Sequence, residues 1–89
     1  MSTSFAIPAA RSAMLLRRRI ATYFVGGADE IPALVTALGG HLVHELSVDI
    51  KDGVRESSMV CAVLLAAEET EPLLDRLRAL PSVVSAELA

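Results

Sequence analysis

Residues 41–66 read His41-Leu-Val-His-Glu-Leu-Ser-Val-Asp-Ile50-Lys-Asp-Gly-Val-Arg-Glu-Ser-Ser-Met-Val60-Cys-Ala-Val-Leu-Leu-Ala66. The first part alternates: Leu42, His44, Leu46, Val48 and Ile50 share one side, and Val43, Glu45, Ser47 and Asp49 share the other. That period of two predicts a strand buried on one face only. Asp52-Gly53 then signals a hairpin turn, because glycine takes the positive φ that tight hairpin turns need. The returning strand, residues 56–66, is apolar at every position from Met59 to Leu65. Continuous apolarity of this kind predicts an interior strand with both faces covered.

Working outward toward the N-terminus, residues 19–25 form a third strand signal, closed by Gly26-Gly27. It too is apolar on both sides, with Ile20 and Phe24 on one and Ala21, Tyr23 and Val25 on the other. Between it and the hairpin, Ile31, Leu34, Val35 and Leu38 form a helical stripe. Asp29 is the expected N-cap, Pro32 fits the first turn, and Gly39-Gly40 ends the helix. Beyond the hairpin, Leu73, Leu74, Leu77 and Leu80 predict a second helix, with glutamates at its start, arginines near its end and Pro81 after it. Residues 83–88 make a last strand, expected to place Val84, Ala86 and Leu88 on one face.

The order is βαββαβ, an α+β ferredoxin-like arrangement. Right-handed crossovers then give an antiparallel sheet of order 4-1-3-2 with both helices on one face. The two-faced strands become central and the alternating ones become edges. The other sheet face is left without helices, and its apolar side chains predict an interface.

Charge is unevenly spread. Residues 1–19 carry +4 and residues 20–89 carry −7, for a net −3. Residues 1–18 are expected to be a mobile basic leader and residues 19–89 the domain. An acidic domain is a poor match for nucleic acid, whose phosphates supply much of the affinity. No apolar run reaches the length of a membrane span. The single cysteine, Cys61, excludes an internal disulfide and fits a reducing cytoplasm. With 89 residues, 53% of them hydrophobic, association with a second copy is the expected support for a small core.

Few side chains suggest chemistry. His41 and His44 fall three apart on a strand and point to opposite faces, so they cannot share a metal. Cys61 sits in an apolar strand and behaves as a small hydrophobe. Glu68, Glu69 and Glu71 suit a helix start. Gly26-Gly27 has no phosphate-loop motif around it. No catalytic residue, metal site or cofactor is expected.

From Ile20 to Leu88 the chain resembles an ACT domain, a small regulatory module that often binds amino acids. The likeness lies in the element order, in Asp29-Glu30-Ile31-Pro32-Ala33-Leu34, and in the ending Leu80-Pro81-Ser82-Val83-Val84-Ser85-Ala86-Glu87. Freestanding ACT-like chains of this size include regulatory subunits of acetolactate synthase. The resemblance implies a homodimer or enzyme regulatory subunit without catalysis of its own. It implies an amino-acid site at Gly27, Asp29 and Glu30, with His41 and His44 as further contacts. Tyr23, Val25, Leu42 and Leu46 are the expected dimer contacts. Two other readings use the same elements: a dimeric α+β barrel enzyme, such as a small monooxygenase or isomerase, and an assembly domain without ligand.

Overall fold

The computed structural model describes residues 14–51 and 55–89. The expected turn at Asp52-Gly53 and residues 1–13 of the expected leader lie outside the described residues. Strand β3, Ser57–Leu65, is the organising element. It pairs antiparallel along its whole length with β1, Leu16–Phe24, from Leu16 opposite Leu65 to Phe24 opposite Ser57. On its other side it pairs with β2, Val43–Asp49. The last strand, β4, Val83–Leu88, pairs with β1. The sheet order is therefore β2-β3-β1-β4, the expected order read from the other edge.

Helix α1, Ile31–Ala37, follows a short 3₁₀ turn at Ala28–Glu30. Helix α2, Thr70–Arg78, follows another at Ala67–Glu69. Leu34 and Leu38 of the first helical segment and Leu73, Leu74 and Leu77 of the second meet Ile20, Phe24, Met59, Cys61, Val63 and Leu65 in one core. These strand residues all lie on one side of the sheet, so both helices cover that side. Burying a side chain of Val or Leu size contributes roughly 1.5–3 kcal/mol, so this layer carries most of the stability.

Four local features depart from expectation. First, β1 begins at Leu16 and not at Arg19, so Leu16, Arg17 and Arg18 belong to the sheet and not to a leader. A nine-residue β3 offers a ladder over its full length, and arginine stems are apolar enough to lie on a sheet. Second, the N-cap of α1 is Glu30 without a side-chain cap bond, and Asp29 sits inside the preceding 3₁₀ turn. Third, β2 is not buried on one face. Only Val48 is half-buried, while Leu42, Leu46 and Ile50 are 61%, 45% and 38% exposed. A β-bulge between Val43 and Glu45 breaks the alternation at His44, and the helices leave this edge uncovered. Fourth, a register shift between Tyr23 and Phe24 turns Val84 outward, so only Ala86 of its expected face is buried.

Candidate functional site

The loop after β1 is shaped by a few specific contacts. Val25 N–H donates to Ser82 O at 2.9 Å, which anchors the end of the strand. Gly26 then takes φ +117°, a conformation that favours glycine. The Glu30 side chain folds back over it, so closely that a Cβ on Gly26 would lie 2.7 Å from Glu30 Cγ. Glu30 N–H donates to Gly27 O at 3.0 Å, closing the 3₁₀ turn that leads into α1. Gly27, Asp29 and Glu30 are thus gathered in one short loop.

Ser57 ties that loop to the sheet. Its Oγ accepts from Lys51 N–H at 2.9 Å and donates to Gly26 O at 3.4 Å. One fully buried hydroxyl therefore joins the C-terminal end of β2 to the candidate ligand loop. Sequence reasoning missed this role. Ser57 stands beside Ser58 in a polar run, and nothing local marks which of the two turns inward.

His41 and His44 lie elsewhere. They precede and enter β2 at the end that pairs with Val63, whereas Asp49 pairs with Ser58 beside the loop. At about 3.3 Å per residue the two ends of β2 are about 20 Å apart. Within one chain, the five expected ligand residues form two groups at opposite ends of the sheet. The expected dimer contacts are divided as well. Tyr23 lies half-buried on the helix-free face, and Val25 is exposed beyond β1. Leu42 and Leu46 are exposed along the β2 edge.

The helix-free face is covered in another way. Arg19 pairs with Ala62 on one side, and Glu45 pairs with Ala62 on the other. Arg17 and Arg19 both reach Glu45 Oε1, at 3.2 and 3.3 Å, so the ion pairs arch across β3. Beneath them Ala62 is 0% exposed, and Ala21 nearby is 5% exposed. A shallow depression lined by Arg19, Glu45, Ser47 and Val60 remains beside this bridge.

Asp29 and Glu30 supply negative charge, and Lys51, the chain's single lysine, pairs with Asp49 at 3.0 Å. Among the described residues no group of three or more metal-binding side chains comes together. Burial pushes the Cys61 thiol above its ordinary pKa, which keeps it protonated and unreactive. Among the described residues no helix is long and apolar enough to cross a membrane.

Solved structures share this architecture. The solution structure of the ACT domain from the GTP pyrophosphokinase of Chlorobium tepidum superposes with a TM-score of 0.72 at 13% identity, covering 84% of this chain and 86% of that one. The crystal structure of the same domain gives a TM-score of 0.71 at 13% identity, covering 85% of this chain and all of the other. The chain therefore has the ferredoxin-like fold of ACT domains. No protein-family model and no curated protein matches the chain.

Proposed function

We propose that this chain is a non-catalytic regulatory module that senses a small ligand as a homodimer, or as the regulatory subunit of an enzyme. The observation that carries the reading is the division of the candidate ligand residues between two ends of β2. An antiparallel pairing of two β2 edges brings the His41–His44 end of one copy toward the Gly26–Glu30 loop of the other. The exposed leucines on that edge and its open backbone ladder support the same pairing. The ligand class that fits is a free amino acid. Its ammonium group meets Asp29 and Glu30, and its carboxylate meets backbone N–H groups of the glycine loop and a histidine of the second copy.

Calorimetric and thermal-shift titration with the free amino acids tests this. A true ligand at a hundred times its dissociation constant stabilises the folded state by about 2.7 kcal/mol. Asp29→Ala and His44→Ala are both expected to weaken that shift. An absence of binding across the amino acids, or a shift insensitive to both variants, contradicts the proposed site.

A further inference from the structure

On the helix side of β3, Met59, Cys61, Val63 and Leu65 are buried and apolar, and Ser57 continues the same row as a buried polar residue. Its register partner is Phe24, two residues before Gly26. The ladder between β2 and β3 ends at the Asp49–Ser58 pair. Beyond it, the Ser57 hydroxyl accepts the Lys51 N–H and donates to Gly26 O. A hydroxyl has one hydrogen to give and lone pairs to accept with, so both bonds form together. Accepting from Lys51 also polarises the O–H toward Gly26. Among the described residues no backbone hydrogen bond joins Ile50 or Lys51 to the Gly26–Glu30 loop, so this hydroxyl is the hydrogen-bonded link between them.

The link holds a peptide plane with glycine on both sides. Gly26 has φ +117°, and Gly27 has φ −109° and ψ −156°. With no Cβ on either residue, rotation of that plane meets little resistance from the chain itself, and its orientation has to be set from outside. In a trans peptide the C=O and the N–H point in opposite directions. Holding Gly26 O against Ser57 therefore turns the Gly27 N–H away from it. There the Gly27 N–H donates to no other backbone group among the described residues. A free N–H held in a fixed direction is the donor that a ligand carboxylate requires.

We propose that Ser57 is a positioning residue for the ligand loop: its hydroxyl aims the Gly27 N–H and ties the loop to Lys51, so that a change in one is transmitted to the other. This rests on the ligand-sensing reading above and adds how the loop is held and where a change in it goes. A carboxylate that takes the Gly27 N–H pulls on the peptide whose oxygen Ser57 holds. The displacement is passed to the Lys51 amide, at the end of β2 where the Lys51 side chain pairs with Asp49.

Amide hydrogen exchange of the full chain, followed residue by residue by NMR, tests the clamp without any ligand. Its failure is thus distinct from a failure of the amino-acid titration. The Cys61 amide, inside β3, reports opening of the whole fold and serves as the reference. Glu30 N–H bonds Gly27 O, so Ser57→Ala is expected to speed its exchange about 2- to 10-fold relative to Cys61, the worth of one hydrogen bond. Unchanged exchange at Glu30 overturns the positioning role. Glu30→Ala removes the side chain lying over Gly26 and is expected to speed exchange at Lys51 by a similar factor, but to leave it unmoved when Ser57→Ala is already present. A Lys51 amide that ignores Glu30→Ala, or that responds equally with and without the Ser57 hydroxyl, overturns the coupling. The single Glu30→Ala measurement leaves Ser57 intact, so it decides even where Ser57→Ala fails to fold.

Discussion

Two surfaces of this sheet lack a covering element, and they solve the problem differently. The helix-free face is partly covered from within: Arg17 and Arg19 bridge to Glu45 across β3, over the fully buried Ala62. The β2 edge is not, and there Leu42, Leu46 and Ile50 stay exposed along a strand that pairs on one side only among the described residues. The contrast shows that an apolar composition does not by itself locate an interface. A small apolar residue under an ion-pair arch is already out of water, whereas large ones along an edge strand are not. It also favours edge pairing over the face-to-face alternative.

The largest difference expected between the two regions is in thiol reactivity. Cys61 sits inside β3 with its thiol pKa raised by burial, while a cysteine placed at Leu46 stands on the open edge. With unfolding costing at least about 5 kcal/mol, alkylation of native Cys61 should be more than about a thousandfold slower than that of Leu46→Cys in dilute, monomeric protein. Comparable rates, followed by mass spectrometry, would place Cys61 within reach of solvent. The raised pKa also sets a pH dependence. Its stabilising contribution is complete below the ordinary thiol pKa and is lost as pH rises through the higher folded value, so urea midpoints should fall in that alkaline window for the wild type and less for Cys61→Ala.

Volume sharpens the comparison next. Ala62→Leu forces a larger side chain under the Arg19–Glu45 bridge and should destabilise by about 1–3 kcal/mol in urea titrations. Leu46→Ala removes far more apolar surface from the edge, yet should move monomer stability by no more than about 0.5 kcal/mol. The reverse ranking would mean that the face is open and the edge covered.

A smaller effect lies on the covered side of β1. The Thr22 hydroxyl is fully buried and has no hydrogen-bond partner among the described residues. Thr22→Val keeps the shape, removes an uncompensated polar group, and should stabilise by about 1 kcal/mol. The smallest change is at the bridge itself. Glu45→Gln breaks two exposed ion pairs and should cost at most about 1 kcal/mol, an effect that fades in high salt. A larger, salt-insensitive loss would show that the arch is more than a surface device.

Much of this architecture was legible in the sequence because hydrophobic period and burial follow each other closely. The unbroken run from Met59 to Leu65 marked a central strand, and the leucine stripes marked two helices on one side. What escaped was set by neighbours. The bulges at His44 and Val84 arise from strand register, which no local pattern records. Arg17 and Arg18 read as a charged leader because the strand they pair with, and Arg17's partner Glu45, are remote in sequence. The candidate site was legible in half: Gly27, Asp29 and Glu30 do share a loop. The distance from that loop to His41 and His44 follows from strand direction, and the Ser57 clamp from a hydroxyl that only the hairpin's folding turns inward.

Light scattering on the wild type and on Tyr23→Glu tests the central claim most directly. Tyr23 lies half-buried on the helix-free face, away from the β2 edge, so a charge there should spoil a face-to-face dimer and spare an edge-paired one. Edge pairing predicts that both proteins have twice the 9.4 kDa chain mass at the same concentration. A folded wild-type monomer at every accessible concentration, or a Tyr23→Glu variant that dissociates while the wild type does not, would contradict it.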